Sequence, residues 1–205
     1  MYIAVFSSLL PVSVGIYRWK IIGIDLKALQ LLLLIGFIID CFTIKGLNFV
    51  YLHELAYVYL LFELLMVIYI IIFWQESLLV KKILQITIFL YIAFWVGARY
   101  LFSDFTRLYS IVGSVSKIFF VLSAGYTLFI VVENRIGMLR QDKRFWILLS
   151  FVLNSCGTLM PFALQELLWI QSKQALFIAW SITLVITIIS NILFTIGFLC
   201  PQKQT

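Results

Sequence analysis

The 205-residue sequence has one histidine, His53, and three cysteines. Zinc sites take three or four ligands, mostly histidine or cysteine. One histidine and scattered cysteines therefore disfavour the seven-span metal hydrolases. Cys41, Cys156 and Cys200 fall near one face, the middle and the other face of the expected helices, too far apart for an internal disulfide framework. Cys156 is expected to be a buried, inert thiol. Charge is also scarce: Asp, Glu, Lys and Arg make up 12% of the chain, where a soluble domain carries about 25%. That shortage excludes a soluble enzyme and a disordered chain. No Gly-x-Ser-x-Gly elbow and no glycine-rich phosphate loop occurs. No cofactor motif is present, and no cofactor is expected. Basic residues do not alternate with aromatics along a polar face, so a nucleic-acid partner is not expected.

What the chain has is apolar bulk, at 64% of residues. A helix needs about 20 mainly apolar residues to cross the roughly 30 Å hydrocarbon core. Seven stretches qualify: 2–17, 27–43, 49–74, 83–101, 108–132, 145–170 and 175–199. They are continuous rather than alternating with period two, which excludes a β-barrel. The expected fold is all-α, a single bundle of seven transmembrane helices without a soluble domain. Pro11 is expected to kink the first span. That segment lacks the basic stretch and cleavage site of a signal peptide, so it is expected to stay as a helix.

The loop cations set orientation. Arg18, Lys20, Lys27, Lys81, Lys82, Arg135, Arg140, Lys143, Arg144 and Lys203 fall on one side. Lys45, Arg99, Arg107 and Lys173 fall on the other. The richer side is expected in the cytoplasm, with the N-terminus outside and the C-terminus inside, in a cell (inner) membrane with anionic headgroups. Retinal binding is disfavoured, because the last span has no lysine. Small sugar transporters carry a Pro-Gln pair within their helices, whereas Pro201-Gln202 lies past the last one. No internal repeat relates the first three spans to the last three.

Ionisable groups in hydrocarbon cost about 2.5–3.5 kcal/mol at a helix centre, so each needs a reason. Asp40, Glu63 and Lys117 fall at compatible depths. Lys117 sits about ten residues into its span, roughly 15 Å at 1.5 Å per residue. The expectation is a buried pair of Lys117 with Glu63 or with Asp40, either shaping a ligand or ion site or fixing helix register. Tyr59 precedes Glu63 by four residues and shares its helix face, so its hydroxyl is placed to bond the carboxyl group. Ser110, Gly113, Ser114 and Lys117 form a small, polar stripe that marks the fifth span as central. Asn154 and Asn191 are expected to hydrogen-bond across to neighbouring helices. His53 reads as interfacial. The segment 133–144, with Arg135, Arg140, Lys143 and Arg144, reads as a loop for a partner or for anionic lipid.

Three motifs carry a resemblance. Tyr59-x-x-x-Glu63 stands in the third span, Phe145-Trp146 opens the sixth, and Asn191 followed by Gly197-Phe198 closes the seventh. The chain resembles a family of small seven-span bacterial membrane proteins without an assigned reaction. Members have a histidine where Tyr57 stands and a tyrosine where Asn154 stands. The resemblance implies the fold and a special place for Tyr59, Glu63 and Asn191. In size and hydropathy the chain is also similar to small membrane proteins encoded beside bacterial antiviral systems. By elimination, the expected function is a non-enzymatic module that senses or transmits a state to a protein partner or in a homo-oligomer. The alternatives are a channel, a pore-forming effector or an ion-coupled carrier built on Glu63, Asp40 and Lys117. An intramembrane lipid enzyme, with Asp40 and Glu63 as acid and base, is a third reading.

Overall fold

The structure is a computed structural model that describes residues 2–44, 49–102, 104–134 and 139–201. Arg135 lies outside these residues, as does Lys45, and the side chain of His53 is not described. Eight helices and a 3-10 turn at Leu139–Gln141 account for the described chain: α1 (Tyr2–Ser7), α2 (Leu9–Tyr17), α3 (Ile24–Ile44), α4 (Phe49–Trp74), α5 (Leu78–Leu101), α6 (Phe105–Asn134), α7 (Lys143–Gln171) and α8 (Lys173–Leu199). No strand occurs among the described residues.

Five helices, α4 to α8, are long and apolar enough to cross a membrane. The other two expected spans are not among these five. α3 is 21 residues long and carries Asp25, Lys27 and Asp40. The 2–17 segment is divided at Ser8. Pro11 explains the division: it has no N–H for the carbonyl of Ser7, and its ring presses on that carbonyl. The helix restarts with Pro11 in its first turn, where no intrahelical donor is required. The Ser7 and Ser8 hydroxyls donate back to the carbonyls of Ala4 and Val5, each at 2.6 Å.

Pro161 has a different outcome. It lies inside α7, and the helix continues through it. The carbonyl it leaves without a donor is that of Gly157, four residues earlier. The Thr183 hydroxyl, from α8, lies 3.1 Å from that carbonyl and 3.1 Å from the Ala179 carbonyl of its own helix, and shares its one proton between them. The helices meet closely here, since a Cβ on Gly157 would sit 2.5 Å from Ile186 Cδ1. Thr183→Val should therefore cost about 1 kcal/mol. Most of that cost should vanish in a Pro161→Ala background, where residue 161 regains an N–H. Unfolding in detergent for the two single variants and the double variant measures this coupling; strict additivity would show that the carbonyl is satisfied otherwise.

The helices close into a ring. α2 packs on α3, α3 on α4, α4 on α6, α6 on α7, α7 on α8, and α8 returns to α1 and α2. α5 stands outside the ring against α4 and α6. Only 11% of the α5 span is buried, against 33% to 44% for the other four. It is tied on by a reciprocal pair. The Tyr57 ring stacks on Trp95 at 4.5 Å, its hydroxyl donates to the Trp95 carbonyl at 2.5 Å, and the Trp95 indole donates to the Tyr57 carbonyl at 3.2 Å. The outer surface is strongly apolar, with Phe89 and Leu90 on α5 and Phe129 on α6 exposed. A continuous apolar exterior of this kind suits lipid rather than water.

Candidate functional site

Helical periodicity aims one face of α3, α4, α6, α7 and α8 at one interior space. On α3, Gly36 and Asp40 are four residues apart. On α4, Tyr59 and Glu63 are four apart. On α7, Phe151, Asn154, Ser155, Thr158 and Phe162 follow the three-and-four spacing of one helix face. On α8, Trp180, Leu184, Thr187 and Asn191 do the same. These residues, with Lys117 and Tyr109 of α6, line a single cavity of about 820 Å³. All six polar residues singled out from the sequence (Asp40, Tyr59, Glu63, Lys117, Asn154 and Asn191) stand on its wall. Its lining runs from Leu32 to Asp40 on α3, from Ala56 to Glu63 on α4 and from Phe177 to Phe194 on α8.

Lys117 takes Glu63 rather than Asp40 as its partner. Its Nζ donates to Oε1 at 2.8 Å and to Oε2 at 2.9 Å. The ammonium also lies 5.0 Å from the centroid of the Phe120 ring, a cation–π distance. The Lys117 side chain is 6% exposed and that of Glu63 is 15% exposed. The contact is bidentate, so both Glu63 oxygens are engaged by the ammonium. Tyr59 turns its hydroxyl toward α3 instead, where a Cβ on Gly36 would lie 2.7 Å from it. Only glycine at position 36 leaves room for that phenol. Asp40 is exposed on the cavity wall.

The small stripe on α6 serves packing. A Cβ on Gly113 would meet the Phe162 ring at 2.7 Å, and the Ser110 hydroxyl donates to the Phe162 carbonyl. Tyr109 and Phe162 meet edge to face at 5.2 Å, and Phe162 and Trp180 do so at 6.1 Å. Asn191 donates to the Ser7 hydroxyl at 2.8 Å and so ties α8 to α1, as expected from its type. Asn154 departs from its expectation. Its side chain faces the cavity and makes no hydrogen bond to another helix among the described residues. The neighbouring Ser155 and Thr158 take the buried positions of that face. Cys156 is also corrected: it is exposed, not buried. One residue past Ser155 turns it about 100° around the helix, away from the ring interior.

The opposite end of the ring is cross-linked. Asp25, 2% exposed, accepts from the Trp74 indole at 2.8 Å and from Lys143 at 2.7 Å. Burial pushes the Asp25 carboxyl up, but Lys143 and the indole pull it down more, and it ends below the ordinary carboxylate value. Arg18 donates to the carbonyls of Phe198 at 2.6 Å and Cys200 at 3.3 Å, placing a cation at the negative end of α8. Burial raises the Cys200 thiol, and Asp142 adds to this; a raised thiol stays protonated and unreactive.

Two of the four basic residues singled out in segment 133–144 are engaged within the protein. Lys143 is committed to Asp25. Arg144 pairs with Asp142 at 3.2 Å, and its backbone N–H donates to the same carboxylate at 2.9 Å at the start of α7. Arg140 keeps an exposed side chain, while its carbonyl accepts from Trp146 at 3.0 Å. Sequence reasoning missed Asp25 and Trp74. Each sits at a helix terminus, where a polar or indole residue reads as a boundary marker.

The fold and site together define a multi-pass α-helical membrane protein whose helices surround a largely apolar cavity bearing a few polar and charged side chains. No family model, no curated protein and no solved structure matches the chain.

Proposed function

We propose that the chain is a non-enzymatic seven-span membrane module that takes a small ligand into the ring cavity and passes its bound state to a protein partner. One observation carries the reading. Polar residues from α3, α4, α6, α7 and α8 converge on one cavity of about 820 Å³, within the size range of ligand sites. In this reading the divided segment 2–17 and the charged α3 serve as spans beside the five long apolar helices. The cation-rich end faces the cytoplasm of the inner membrane, as the distribution of Lys and Arg favours. The cavity then opens toward the outside. The cytoplasmic end, held by Asp25, Lys143, Trp74 and Arg18, forms the surface offered to the partner, next to anionic headgroups. The likeness to small seven-span bacterial proteins fits the same picture.

The cross-linked end favours a sensor over a conduit, because a path to the cytoplasm would have to part buried ion pairs there. The buried Glu63–Lys117 pair on the cavity wall favours the second reading, an ion-coupled carrier. Proton and cation flux into proteoliposomes separates the two. The sensor reading expects tight vesicles for the native chain, Glu63→Gln and Lys117→Met alike. Flux that either substitution abolishes would replace the sensor with a carrier.

A further inference from the structure

The cavity wall carries a charge that it does not balance. Among the described residues, Asp40, Glu63 and Lys117 are its charged members. Lys117 is bound to both oxygens of Glu63. Asp40 has no ion pair and no hydrogen bond among the described residues, and it is exposed to the cavity. Two carboxylates therefore face one ammonium. An unmatched carboxylate within a membrane bundle is costly unless it takes up a proton or meets a cation.

The remaining wall indicates what kind of partner. Tyr59, Tyr109, Phe162 and Trp180 line it from four helices, the last three in an edge-to-face series. Aromatic faces attract cations, and organic ammonium groups most of all when desolvated. An anionic ligand would meet Asp40 while the only cation of the described wall is already engaged. A bare metal ion is a poor fit, because no group of three His, Cys, Asp or Glu side chains is close enough to hold one among the described residues.

We propose that the cavity is a binding site for a small organic cation, with Asp40 as counter-ion to its ammonium group and Tyr59, Tyr109, Phe162 and Trp180 as its aromatic walls. The proposal rests on the reading of the cavity as a ligand site and names the chemical class of the ligand. Glu63 and Lys117 neutralise each other, so Asp40 is left to set the sign of what enters.

Three probes on one skeleton test it with the full chain in neutral detergent at neutral pH: 2-phenylethylamine, 2-phenylethanol and phenylacetate. Thermal unfolding and tryptophan fluorescence read the binding. The amine should raise the unfolding temperature and change the fluorescence, while the alcohol and the acid do neither at equal concentration. Asp40→Asn should weaken amine binding about tenfold or more, and Asp40→Glu should keep it. Comparison of the probes on the native chain needs no variant, so a misfolded substitution does not decide the result. Equal binding of phenylacetate, unchanged affinity in Asp40→Asn, the same protection from sodium chloride alone, or no response to millimolar amine would each overturn the proposal. Failure of the sensor reading looks different: amine flux into vesicles that Asp40→Asn abolishes would make the protein a carrier and leave the cation site standing.

Discussion

Glu63→Gln should destabilise the folded protein more than Lys117→Met. Removing one member of a buried ion pair leaves the other charge uncompensated, at a cost of about 3–5 kcal/mol. The two survivors differ. Glu63→Gln strands an ammonium whose side chain is 6% exposed, packed over the Phe120 ring. Lys117→Met strands a carboxylate that is 15% exposed and borders the cavity, where water can reach it. The first loss should stand at the upper end of that range and the second at the lower. The double variant, with neither charge, should recover most of the stability, because replacing a whole buried pair is often neutral. Denaturant unfolding in micelles gives all three values. A double variant as unstable as the sum of the singles would show that the pair does not act as a unit.

The second large effect belongs to Asp25. Asp25→Ala leaves the Trp74 indole N–H without its acceptor and Lys143 without its counter-ion, and should cost about 3 kcal/mol. Asp25→Asn keeps an oxygen for the indole, and Lys143, 23% exposed, can turn to water, so the loss should be smaller. The pH dependence has a definite sign. Asp25 is more acidic when folded than its ordinary value of 3.8. Its contribution is fully present above that ordinary value and is lost as pH falls through the lower folded value. Native stability should therefore show an acid limb below about pH 4 that Asp25→Asn lacks. An identical limb in both would place the acid sensitivity elsewhere.

How far the site was legible depended on what the burial pattern means in lipid. Glu63, Lys117 and Asp40 stood out because a charge within an apolar run has few explanations, and they do share one cavity. The choice between Glu63 and Asp40 as partner of Lys117 was not legible. Depth along a helix follows from residue count, but rotation about the axis and the order of helices around the ring do not. The same gap misplaced Cys156, where the composition of the segment suggested burial and its rotation set exposure. The pairing of Asp25 with Trp74 and Lys143 was hidden for another reason. The three come from different helices, Trp74 lying 49 residues from Asp25, and each reads alone as an ordinary polar residue at a helix end. The division at Ser8 was half visible: Pro11 predicted a disturbance, but not that it would become a break on the cavity wall.

The ring has a seam, and its position matters for how the protein is made. Every contact around the circle joins helices at modest separation along the chain except the last, where α2 meets α8. Arg18 reaches across 180 residues to the carbonyl of Phe198, and Asn191 across 184 to Ser7. Contacts so distant along the chain form late, because the intervening segments must be ordered first. On a ribosome the order is stricter still. Helices α3 to α7 can assemble into an open arc during synthesis, with the polar faces of Glu63, Lys117 and Asn154 along its inner edge. The arc becomes an enclosure only when α8 arrives. Until then the same residues that later face a ligand face the bilayer or a chaperone, and the cavity is the last part of the molecule to exist.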